Sequence, residues 1–259
     1  MSNVIFIPWI GAKYESDGFR GLRLLIVCES HYGSKQSERP TATPELVKAL
    51  GQRLKHPDAT ARLRKHPHFA RIVTAVSGAV SASVFTTQER ADFWERVCYY
   101  NFLQEFMPAS RVAPSAESWD QGKGPFLKVL ATVRPDVVIA FSKRLGRILT
   151  PLCSDVPSAT VHHPSTGFAY ARWNIVIAAG LDEAGARRLA LGVHVCDLSP
   201  NPVYSAWHRA SRKASPAHGP HLPPEQLTDV HLRWARQMAA AKDGGDGPTN
   251  EGCVLDGAL

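Results

Sequence analysis

The chain has 259 residues, 44% of them apolar and 20% charged, enough to bury one sizeable core. Thirty Lys and Arg against 23 Asp and Glu give a formal charge of +7 and a pI near 9.3, which admits a nucleic-acid partner without requiring one. No apolar run approaches the roughly 20 residues that cross a bilayer, and the N-terminal MSNVIFIPWIGAKYESDG has neither a basic n-region nor a cleavage site. Cys28, Cys98, Cys153, Cys196 and Cys253 are scattered without C-x-x-C spacing, which indicates neither a zinc site nor a disulfide framework and fits a reducing cytoplasm with no membrane contact.

The first predicted strand is LRLLIV (22–27), a short apolar run that stops abruptly at Glu29, Ser30, His31, Tyr32 and Gly33. A long helical stretch follows, from TPELVKALGQRL through TTQERADFWERV, with Thr43 as N-cap before Pro44 at the first helical position. Within it Lys48, Arg53, Lys55, Arg62, Arg64, Lys65 and Arg71 stand against Asp58 alone, either as a solvated helical face or as a phosphate-facing surface. RVCYYNFL (96–103) is the second strand and closes on Asn101. GPFLKVLATVR is the next helix and ends at Pro135, where the third strand, PDVVIAF (135–141), begins. SKRLGRILTPLC is a helix that Ser142 can cap, and SATVHH (158–163) is the fourth strand, running into HHPSTGFAY (162–170). A further strand, WNIVIAAG, and a helix, DEAGARRLAL, continue the pattern.

Strands alternating with helices predict an α/β fold: a three-layer sandwich with a central parallel four-stranded sheet and helices on both faces. This domain spans 1–210. Residues 211–242 read as a Pro-rich linker and one C-terminal helix (225–242), and 243–259 as a disordered tail.

In a sheet of this type, ligands bind beyond the carboxyl ends of the strands. Three of the four predicted ends carry polar groups: CESHYG (28–33), Asn101 in YYNFL, and HPSTGF (163–168). In order and spacing this combination resembles the uracil-DNA glycosylase superfamily, over roughly residues 20–180. The resemblance implies a monofunctional DNA glycosylase without metal or organic cofactor, acting as a monomer on DNA. It would hydrolyse the N-glycosidic bond of a flipped-out damaged or modified pyrimidine, either uracil or a modified cytosine such as phage DNA carries, and leave an abasic site. The cysteine spacing excludes the iron–sulfur branches.

The resemblance also implies roles. His163 would donate to the base oxygen that gathers negative charge, and Asn101 would read the pyrimidine edge. Tyr32 would wall off the C5 side of the base, Tyr99 would pack, and Tyr100 would stack on the base. Phe168 or Tyr170 would serve as the wedge that fills the gap in the DNA. Ser165 and the backbone near Gly167 would touch phosphate, and Arg62, Arg64 and Lys65 would supply non-specific DNA contacts. The first motif of the best-known branch reads Gly-Gln-Asp-Pro-Tyr-His. Here Ser30 takes the place of the aspartate, which leaves Glu29, His31 or Ser30 to hold the water. Glu29 could instead pair with Arg23 or Arg172, and His162 reads as structural.

Two other readings remain open. A serine hydrolase would use Ser30 as nucleophile and His163 as base, but the chain lacks a G-x-S-x-G elbow. A catalytically inactive nucleic-acid-binding module on the same fold would account for the missing aspartate.

Overall fold

The computed structural model describes residues 6–52, 67–81, 85–109, 112–164 and 167–191. The strands are β1 (Trp9–Ile10), β2 (Leu24–Cys28), β3 (His31–Tyr32), β4 (Val97–Asn101), β5 (Phe106–Met107), β6 (Val137–Phe141) and β7 (Ser158–Val161). The helices are α1 (Ala42–Leu46), which runs on as a π-turn over Val47–Gly51, α2 (Pro67–Val76), α3 (Thr87–Glu95), α4 (Ala116–Val133), α5 (Lys143–Leu152) and α6 (Tyr170–Ala190). The Arg62, Arg64 and Lys65 segment, Ser165 and the helix expected at 225–242 lie outside the described residues, as do the linker and tail.

The four strands expected from the sequence form and lie parallel in the order β4-β2-β6-β7. The sheet is mixed rather than wholly parallel, because β1 adds a fifth strand antiparallel to β4, pairing Trp9 with Tyr99 and Ile10 with Cys98. A two-residue strand carries no alternation to read. It is set from outside, in part by the Trp9 indole N–H donating 2.8 Å to the Trp94 carbonyl. β3 and β5 form a second, two-stranded parallel sheet that pairs His31 with Phe106.

Both faces of the main sheet are apolar, as buried parallel strands require. Leu24, Ile26, Cys28, Tyr99, Ile139 and Phe141 join one core with residues of α2, α3 and α6. Leu25, Val27, Tyr100, Val138 and Ala140 join another with residues of α4 and α5. Close backbone approach tightens this packing at β7. A Cβ on Gly146 of α5 would lie 2.7 Å from Thr160 Cβ, and one on Gly180 of α6 would lie 3.1 Å from Ala159 Cβ. No described helix is long and apolar enough to cross a membrane.

Three expectations are corrected. WNIVIAAG is helical, not a strand: Trp173, Ile177, Leu181 and Ala184 recur at helical spacing and are all buried against the first core. The long helix before β4 is broken into α1, α2 and α3. Thr43 does not cap α1, since Thr41 holds the N-cap position and Thr43 lies inside the helix, fully buried.

A polar cluster at the strand ends

β2 ends where its backbone still pairs with β4, Cys28 opposite Asn101, so the residues that follow emerge beside the end of β4. Glu29 is buried there and turns toward the start of α5. Arg144 grips it bidentately, Nη2 donating 2.7 Å to Oε2 and Nε donating 3.2 Å to Oε1, and the Ser142 hydroxyl also donates to Oε1. Ser142 caps α5 as the sequence predicts, accepting from Arg144 N at 3.1 Å. One serine therefore holds both a helix start and a buried carboxylate. The partner of Glu29 is Arg144 rather than Arg23 or Arg172: Arg23 is paired with Asp136 at 2.9 Å, and the Arg172 guanidinium lies over the Trp173 ring.

Asn101, only 3% exposed, sits in a chain of hydrogen bonds. The Tyr99 hydroxyl donates to its Oδ1 at 3.3 Å, and its Nδ2 lies 3.1 Å from His31 Nδ1. His31 Nε2 and the Thr43 hydroxyl are 2.8 Å apart. Asn101 Nδ2 also lies 3.2 Å from His31 Nε2, and a neutral imidazole, with one ring nitrogen accepting and the other donating, serves these pairings. Burial among Phe6 and Phe106 pushes the His31 pKa down to about 4, which keeps that neutral form. His31 is thus a partner of Asn101 in the interior rather than a solvent-facing holder of water.

The chain continues in the other direction. His68, in the first turn of α2, places Nε2 3.2 Å from the Tyr99 hydroxyl and 3.7 Å from Cys28 Sγ. Its ring centre is 5.4 Å from that of His163, which follows β7. Arg71, one turn along α2, donates 2.5 Å to the Pro164 carbonyl and fastens α2 to the His-Pro-Ser loop. Burial lowers the pKa of His163, with Arg144 acting in the same direction and Glu29 opposing. Glu29, Asn101 and His163 therefore belong to one cluster at the ends of β2, β4 and β7, with β6 between β2 and β7.

Other predicted site residues lie elsewhere. Tyr100 faces the opposite side of the sheet from Tyr99, wholly buried, with its hydroxyl accepting 2.7 Å from Gln104 Nε2, so it cannot stack on a base at this cluster. Phe168 is a core residue packed on Phe141, not a free wedge. Tyr170 opens α6 with its ring on Phe168 and its hydroxyl bonded to Thr74, which also withdraws it from that role. Ser30 is half-buried between β2 and β3. Tyr32 is 48% exposed in β3 and is the aromatic of the first motif that faces solvent.

Sequence reasoning missed His68, Arg144 and Thr43 as members of the cluster. No signal in the sequence marks them, because their positions depend on where distant elements pack. No protein-family model matches the chain, and no curated protein is significantly similar to it.

Proposed function

We propose that the chain is a monofunctional DNA glycosylase on a three-layer α/β sandwich of the uracil-DNA glycosylase type. On this reading it excises a damaged or modified pyrimidine by hydrolysis of its N-glycosidic bond. The observation that carries this reading is the convergence of Glu29, Asn101 and His163 at the carboxyl ends of β2, β4 and β7.

The chemistry asks for a hydrogen-bond donor at the base oxygen and a negative charge near the sugar as it becomes oxocarbenium-like. With its pKa lowered, His163 stays neutral near pH 7 and stabilises the departing base by hydrogen bonding, without handing over a full proton. One such donor is worth about 2.7–4 kcal/mol in related anion-stabilising sites. Glu29 is the carboxylate whose charge reaches His163. Its Oε2 accepts one bond from Arg144 and retains capacity for a water. Tyr32, exposed in β3, would meet the base.

A second reading, a nucleic-acid-binding module without catalysis, draws on one specific observation. Both polar atoms of the Asn101 amide are engaged inside the protein, so reading a base edge requires the Tyr99 and His31 bonds to open.

Incubating the protein in excess with an end-labelled, uracil-containing or cytosine-modified oligonucleotide, then treating with hot alkali, tests both readings. Strand cleavage at the modified base, reduced at least about tenfold by His163→Ala with DNA retention unchanged, supports the glycosylase. A shifted but uncleaved oligonucleotide supports the binding module.

A further inference from the structure

Beside the strand-end cluster lies a set of cations that the described chain does not neutralise. His162, the residue before the site histidine, is exposed, and its ring lies 4.6 Å from that of Trp173 with the planes 29° apart. Lys143 Nζ is 5.3 Å from the Trp173 ring centre, and the Arg172 guanidinium carbon is 4.8 Å from it. Trp173 is buried in the first core and acts as a fixed plate. Three elements deliver these groups to one place: Lys143 opens α5, His162 follows β7, and Arg172 lies in the first turn of α6.

Among the described residues neither Lys143 nor Arg172 has an ion-pair partner, whereas Arg144 next to them is engaged by Glu29. Partial burial, then the Lys143 and Arg172 charges, holds the His162 imidazole below its ordinary pKa. Two unneutralised cations flanking an exposed flat ring match a ligand that offers both anions and flat faces. An acidic peptide or a lipid headgroup supplies the anions alone. An unpaired nucleic-acid strand supplies both, with phosphates at regular spacing and bases free to stack.

We propose that Lys143, Arg172 and the exposed ring of His162 form a docking surface for a single-stranded stretch of nucleic acid, with phosphates on the two cations and a base against the imidazole. This deepens the glycosylase reading by naming where the strand that carries the target base lies. It concerns binding alone, so it is separable from excision.

The test is fluorescence anisotropy of a labelled oligo-dT of about twelve nucleotides with the full chain across a salt series. The paired substitution Lys143→Gln and Arg172→Gln should weaken binding at least about tenfold at low salt. It should also reduce the salt slope by about 1.4, two phosphates at about 0.7 each for a single strand. His162→Ala should cost about fivefold and His162→Phe much less, because the phenyl ring keeps the stacking face. Lys128→Gln, an exposed change on α4, should leave binding as it is, and the conservative pair Lys143→Arg with Arg172→Lys should restore it. An unchanged affinity and slope in the paired Gln variant would overturn the proposal. So would equal losses for polyglutamate or anionic phospholipid vesicles, which would mark the surface as a general acid-binding patch. Intact oligo-dT binding without any base excision would leave this surface standing and remove the proposed reaction. Intact excision with an unchanged salt slope in the paired variant would do the reverse.

Discussion

Protonating His31 would set a second N–H against the Asn101 amide in surroundings closed by Phe6 and Phe106. Its folded pKa, pushed down to about 4 by burial, lies below the ordinary histidine value near 6.5. The unfolded chain therefore binds the proton first as pH falls. The stability this group contributes is present above about pH 6.5 and is lost progressively toward pH 4, by up to about 3 kcal/mol. Asp182, pushed up to about 6 by burial, works in the opposite direction, so the comparison must be made against a variant. Urea midpoints measured from pH 7.5 to 4 should fall less steeply for His31→Gln than for the natural chain; parallel curves would contradict the account. Arg144→Ala leaves the buried Glu29 carboxylate with Ser142 as its remaining side-chain partner, and should cost about 1–3 kcal/mol in the same measurement. The strand-end position of both Glu29 and His31 was legible in the sequence. Their partners were not: Arg144 is 115 positions from Glu29, and only the closed sheet brings them together.

At the scale of elements, the four parallel strands were legible because each is a short apolar run closed by a polar break. The cap at Ser142 was legible from its side chain alone. β1 and β3 were not, since two residues hold no period and their partners lie on distant strands. WNIVIAAG misled because branched residues favour strands in isolation, while the burial of Trp173, Ile177 and Leu181 on one face favours a helix in this context. The same packing yields a matched pair of predictions. Gly146→Ala should destabilise by about 1–3 kcal/mol, because the new methyl would overlap the Thr160 side chain where α5 meets β7. Gly185→Ala in α6 meets nothing within 4 Å and should stabilise by about 0.5–1 kcal/mol through helix propensity. Thermal melts of the two variants should move in opposite directions.

For the molecule as a whole, the order of the motifs along the chain located the cluster, because a parallel sheet gathers strand ends that are far apart in sequence. The path of α2 was not legible. That helix brings His68 and Arg71 onto the cluster, and a histidine that follows a run of basic residues gives no sign of it. Removing positive charge at Arg62, Arg64 and Lys65, which precede α2, should weaken binding to every DNA sequence alike and flatten its salt dependence. Unchanged affinity and slope would return that stretch to an ordinary solvated surface.

The most direct test of the central claim is mass spectrometry of free bases released when the protein is incubated with DNA of varied modification state. A glycosylase at this cluster releases one pyrimidine species, with at least about a tenfold loss in each of Asn101→Ala and His163→Ala. Release undiminished in both variants, or no base released from any DNA in the panel, would contradict it.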